Sequence, residues 1–248
     1  MWLGYPNIAS AAVGVLPTIL HHWRRPMSDR DQTLTAARFS ERIRTATWGQ
    51  HGDAESSPYM DALMDGRLDR DQYAALVGQL WFVYRELEAT AGTWAGDTIV
   101  AAFLDERLDR RSRLEADLAV LLGAGWRSSL AALPETEAYV ARLEEVGASW
   151  GLGLVAHHYT RYLGDLSGGQ FIGRVVREVY GLDRDRGASF YAFEIPEPGA
   201  WKESYRRRLD ELELDEAEAA RTIDEVREAY RLNTELLAGL GRQVLGER

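Results

Sequence analysis

The sequence has no cysteine in 248 residues, and that absence closes off a good deal of chemistry. Disulfides, cysteine-ligated zinc, iron–sulfur clusters, covalent attachment of a c-type heme and thiol nucleophiles all need a residue that is not there. Histidine is scarce at five, so a metal would have to be held by one of a few imidazoles, by carboxylate, by tyrosine or by backbone oxygen. Positive charge is in deficit: 29 Lys and Arg stand against 39 Asp and Glu, a formal net charge of −10. A nucleic-acid partner, which needs a basic face, is therefore not expected. Only one of the basic residues is a lysine, Lys202. So strong a bias reflects genome composition more than function, but it makes the lone ammonium worth following.

A clean membrane-spanning run of about 20 apolar residues is also missing. The most apolar stretch, residues 1–20, is broken by Gly4, Pro6, Gly14 and Pro17. Its basic residues follow the apolar run instead of preceding it, unlike a secretory leader. Residues 1–26 are expected to be a loose extension, or translation to begin at Met27, with residues 27–248 forming the domain. No stable membrane insertion and a cytoplasmic location are expected.

What is present is helical periodicity. Tyr73, Leu76, Leu80, Phe82–Tyr84, Leu87 and Ala91 recur at intervals of three and four, as one face of an amphipathic helix requires. The same spacing runs through residues 99–122, 135–146, 152–180, 201–212 and 216–244. Breaks fall at Pro58, Gly66 to Asp69, residues 123–125, Pro134, residues 147–153 and 181–187, and Pro196 to Gly199. Strict alternation is absent over any useful length, so the expectation is an all-α single domain of seven or eight helices. That fold class alone does not define a function.

Chemistry concentrates in residues 159–174, where helical flanks enclose Gly164, Gly168, Gly169 and Gly173. Each glycine within a helix costs roughly 1 kcal/mol relative to alanine. Close helix packing would explain such a cluster, and clustered glycine also kinks helices. Gly164 and Gly168, four apart, would leave one face bare. Arg161 and Asp165, also four apart, would set a charged pair beside it. A bare backbone wall next to a carboxylate suits a flat, bulky ligand.

The run from Tyr159 to Gln170 resembles the signature of the biliverdin-producing heme oxygenases, and the likeness extends from about Phe39 to Leu237. It implies an all-helical fold that sandwiches heme b, both substrate and cofactor, between a proximal helix bearing a histidine ligand and a kinked, glycine-rich distal helix. It also implies oxidative cleavage with O2 to biliverdin, ferrous iron and carbon monoxide. No flavin or nicotinamide motif is present, so electrons would come from a partner such as a ferredoxin or a flavin reductase.

Residues 39–55 resemble the proximal segment, which makes His51 the expected iron ligand. Arg44, seven residues earlier, falls on nearly the same face two turns away, within plausible reach of a propionate. Glu55, one turn on, could accept the ring N–H that does not face iron and so fix its orientation. His157 and His158 lie on the expected distal helix; a histidine matching His157 is often present in the family without being the ligand, and His157 is read as structural. Lys202 and Arg206 match the family's cationic propionate contacts, and Tyr159 matches a further one. Trp48 departs from the pattern, standing where some relatives carry a second lysine. Tyr84, Tyr139 and Asn233 resemble the polar network that joins Arg161 and Asp165, with Asp165 ordering a water that delivers protons. Tyr230 matches an aromatic position near the heme.

A heme carrier or sensor of the same fold is the alternative reading; it would need His51 but not Asp165. A thiaminase-like hydrolase would require the missing cysteine, and a di-iron bundle would require paired Glu-x-x-His motifs, of which there are none.

Overall fold

The computed structural model describes residues 37–49 and 57–246. The expectation for residues 1–26, together with His21, His22, His51 and Glu55, lies outside these. Among the described residues the regular structure is helical, relieved only by isolated bridges around Asp183. In chain order the helices are α1 (Phe39–Ala46), α2 (Pro58–Met64), α3 (Arg70–Thr93), α4 (Thr98–Ala101), α5 (Arg111–Leu122), α6 (Trp126–Ser129), α7 (Pro134–Ser149) and α8 (Gly151–Gly164). A π turn at Asp165–Gly169 leads directly into α9 (Gln170–Tyr180), followed by α10 (Pro198–Asp210) and α11 (Glu216–Leu245).

The helix starts follow from local chemistry. Pro58 does not so much end a preceding element as open α2, at a position where its missing N–H costs nothing, while the Ser57 side chain accepts from Met60 N. The two long helices, α3 and α11, each begin with a reciprocal capping box, Asp69 with Gln72 and Asp215 with Glu218. Each box satisfies two otherwise orphaned amides.

One expected helix is not continuous. Residues 99–122 carry the right apolar spacing but form α4, a connector with a 3-10 turn at Glu106–Leu108, and then α5. Asp97 accepts from the amides of Ile99 and Val100, and Asp105 accepts from Arg107 N. Aspartate competes with the helix by bonding nearby amides, and here it restarts the chain twice.

Helix α8 is buried all round from Leu152 to Leu163, as a central helix should be. It packs on α3, α7 and α11. The C-terminal α11 also touches α1 and α2. The core is rich in phenols: Tyr59, Tyr73, Tyr84, Tyr139, Tyr162 and Tyr205 are among its largest fully buried side chains.

Candidate functional site

The α8 helix does not end where its glycines begin; it widens. Residues Asp165–Gly169 form a π turn continuous with the helices on either side, so the expected kink takes the form of one slack turn. Such turns are rare and cluster at functional sites. The glycines divide between the two roles open to them. A Cβ at Gly173 would lie 2.5 Å from Tyr191 Cβ, so that glycine serves close packing. A Cβ at Gly164 would meet nothing within 4 Å. Packing does not explain Gly164, which faces a cleft of about 1030 Å³, part of it open to solvent.

Gly164, Asp165, Gly168 and Gly169 form one wall of that cleft; Met60 and Met64 from α2, Leu76 and Leu80 from α3, and Tyr230, Asn233 and Leu237 from α11 form the others. Phe190 and Tyr191 close the inner end. Their segment is pinned by the buried carboxylate of Asp117, which accepts from Ser189 N at 2.9 Å, Ser189 Oγ at 2.8 Å and Phe190 N at 2.8 Å.

Arg161 and Asp165 are joined through Tyr84 and not by a direct ion pair. Arg161 Nε donates to the Tyr84 hydroxyl at 3.1 Å, and that hydroxyl donates to Asp165 Oδ2. Arg161 Nη1 donates to Asn233 Oδ1, and the guanidinium lies 5.0 Å from the Tyr84 ring centroid. Burial raises the Asp165 pKa above its ordinary range, against the opposing pull of Arg161 and the Tyr84 hydrogen bond. Burial disfavours the Arg161 charge, but Tyr84 and Asp165 outweigh it and hold the guanidinium protonated.

Tyr139 was expected in this network and stands at its edge. Its hydroxyl is buried and makes no hydrogen bond among the described residues. Burial pushes its pKa up to about 12, with Arg161 near enough to oppose the shift.

A second group assembles at one end of the wall. Lys202 Nζ donates to Ser167 Oγ at 2.8 Å. Burial, reinforced by Arg206, lowers the Lys202 pKa. Tyr159 is buried; burial raises its pKa while Arg206 and Arg44 pull it down. Thus Arg44, Tyr159, Lys202 and Arg206 converge on one neighbourhood, from three helices. Arg206 itself bonds Glu203 at 2.6 Å on the exposed side of its own helix.

The two described histidines are tied down elsewhere. His157 Nε2 lies 2.9 Å from Glu225 Oε1, and Arg142 bonds the same carboxylate, so α7, α8 and α11 are riveted together. This matches the structural reading of His157. His158 Nδ1 lies 3.0 Å from the Tyr205 hydroxyl, and its ring is stacked on Tyr205 at 10°. Burial lowers its pKa to about 3, keeping the imidazole neutral.

The sequence assigns no role to several neighbours, although two of them lie inside the run from Tyr159 to Gln170. Ser167 is one. Arg110 is another: a buried cation whose Nη1 donates to the Phe190 and Ala192 carbonyls at 3.0 and 3.1 Å, with an electrostatic pull on Asp165. Tyr162 is a third, donating to Glu88 Oε1 at 3.2 Å and packing edge-on to Tyr84. Each works through a residue remote in the chain, which spacing does not reveal.

A helical fold with a glycine-rich wall, a fixed carboxylate on it and cations near the same turn suits a large, flat, anionic ligand. The heme oxygenase family profile matches residues 37–239. The heme oxygenase 1 of Nostoc sp. is 34% identical over 206 residues, covering 83% of this chain and 87% of that protein. The crystal structure of Synechocystis sp. heme oxygenase-2 with heme and NO superposes with a TM-score of 0.80 at 33% identity, covering 85% of this chain and 88% of that one. That of Synechocystis sp. heme oxygenase-1 with heme superposes at 0.79 and 32%, covering 85% and 95%. The chain belongs to the heme oxygenase family.

Proposed function

We propose that the protein is a heme oxygenase acting on heme b, opening the macrocycle to biliverdin with release of ferrous iron and carbon monoxide. The observation that carries this reading is the Tyr84-held Asp165 on a wall where Gly164 leaves empty space. A flat tetrapyrrole would lie against the bare backbone at Gly164, Gly168 and Gly169, and Arg44, Tyr159, Lys202 and Arg206 would take its propionates. His51, outside the described residues, would hold the heme iron, with Glu55 fixing its ring.

Bound heme supplies the iron that activates O2 and the meso carbon that is oxidised. The protein's part is to deliver protons without a strong acid at the reacting oxygen. Asp165 Oδ2 is committed to the Tyr84 hydroxyl, which leaves Oδ1 to order a water at the glycine wall. Arg161 holds the Tyr84 oxygen from the other side and is itself held by Asn233, so the carboxyl group is fixed in place. Tyr139, beside Arg161, would extend this chain through a water. Gly164 and Gly168 allow close backbone approach, and Tyr230 lines the opposite side. Electrons would come from a separate donor, a ferredoxin or a flavin reductase, in the cytoplasm. Among the described residues no helix is long and apolar enough to cross a membrane.

Hemin with a reductant tests the assignment. The enzyme loses its Soret band while bile-pigment absorption grows; a carrier or sensor would keep the Soret band, and that outcome would replace the reading. Asp165→Ala should retain hemin and lose most of its biliverdin yield. A normal yield would remove the water relay.

A further inference from the structure

The only ammonium among the side chains is anchored before any ligand arrives. Lys202 Nζ donates to Ser167 Oγ, and Ser167 Oγ donates to the Leu163 carbonyl at 2.7 Å. Ser167 sits within the π turn, two residues after Asp165 and one before Gly168. The two bonds therefore run from α10 to the wall that faces the cleft. Arg206 offers a contrast, since among the described residues it bonds a neighbour on its own helix. Lys202 is the cation that ties its helix to the glycine wall.

An ammonium has three N–H donors. One is committed to Ser167, and two remain for a carboxylate. A free lysine loses most of its side-chain freedom when it grips a ligand; Lys202, half-buried with its head group already bonded, has lost much of it beforehand. We propose that Ser167 is a positioning residue: it sets Lys202 for a propionate of the bound tetrapyrrole and joins the carboxylate anchor and the π turn into one mechanical unit. This rests on the heme reading above. It follows that where the propionate is held fixes how the ring lies against Gly164 and Asp165, and hence which meso edge meets the distal wall.

Because Lys202 is the only lysine, protein grown with side-chain 15N-lysine gives a single ammonium signal. In the hemin-free wild type that signal is expected to be shifted and slowed in exchange. Ser167→Ala should move it to the free-lysine position, and Ser167→Thr should restore it, since threonine keeps the hydroxyl and can bond the carbonyl four residues back. In hemin titrations Ser167→Ala should weaken affinity by roughly fivefold, the scale of one immobilised side chain, and broaden the mixture of biliverdin isomers; Ser167→Thr should recover both. An ammonium signal indifferent to Ser167→Ala overturns the proposal, as does a changed signal with unchanged hemin affinity and isomer ratio. A wild type that binds no hemin overturns it as well, and is recognisable as failure of the heme reading because no variant is needed to see it.

Discussion

At the scale of single residues, the hydroxyl of Tyr84 does two jobs, accepting from Arg161 and donating to Asp165. Tyr84→Phe removes both bonds and leaves two charged groups short of a partner. The expected cost is about 1–3 kcal/mol, read by urea denaturation, with a parallel loss of biliverdin yield. His158 makes a pH prediction. Burial holds its pKa near 3 in the folded protein, against about 6.5 for an unperturbed histidine. Below pH 6.5 the unfolded chain binds a proton that the folded chain refuses until about pH 3. Stability is thus fully present above pH 6.5 and falls through that window by up to about 1.4 kcal/mol per pH unit. His158→Phe should be less stable at pH 7, having lost the Tyr205 bond, yet show a flatter loss between pH 6 and 4 in denaturant titrations at each pH. Tyr84, Arg161, Asp165 and Asn233 were readable from the sequence because their residue types and positions carry the family pattern. The bond of Ser167 to Lys202 and those of Arg110 were not, because their partners lie on other elements, 35 positions away for Ser167 and 80 or more for the Arg110 carbonyl contacts. Tyr139 shows the converse: its residue type fits the network pattern, yet its hydroxyl makes no hydrogen bond among the described residues.

At the scale of elements, the widened turn after α8 separates stability from function. Gly164→Ala puts its methyl in open space and should stabilise the hemin-free protein by about 0.5–1 kcal/mol. The same methyl enters the cleft, so hemin affinity should drop by at least about fivefold, in line with the 1–3 kcal/mol that overpacking costs. Gly173→Ala should do the reverse in melting experiments, losing about 1–3 kcal/mol because its Cβ meets Tyr191 at 2.5 Å. Equal effects at the two positions would show that the wall is not a ligand surface. The glycines were legible as a cluster; the packing around Gly164 and Gly173 is what tells those two apart. Apolar spacing likewise gave most helices, including α3, α7 and α11, to within a few residues. It failed at residues 99–122, where aspartate caps interrupt a pattern that spacing alone reads as unbroken.

At the scale of the molecule, the cleft is bounded by parts far apart in the chain, and the segment through Ser189–Tyr191 closes its inner end. Asp117→Ala removes the acceptor for three hydrogen bonds to this segment. The expected cost is about 3 kcal/mol, a fall of roughly 6–12 °C in melting temperature for a chain of this size. Calorimetry of the hemin-free protein checks it, and hemin protection against melting should shrink as the inner end loosens. The all-α class was legible from helical periodicity and the want of strict alternation. Which helices face one another was not, since that depends on side chains meeting across the core.

The last helix, α11, runs past nearly every other wall. It holds α1 through the Arg42–Glu216 pair and the Arg227 bond to the Ala46 carbonyl, and it carries Tyr230, Asn233 and Leu237 into the cleft. Thirty residues of α-helix extend about 45 Å. One stiff rod is therefore shared by the N-terminal helix and the distal chamber, like the beam of a caliper. Mutations that tilt this beam should alter the gap at both jaws together, so neither side of the cleft is free to evolve its fit alone.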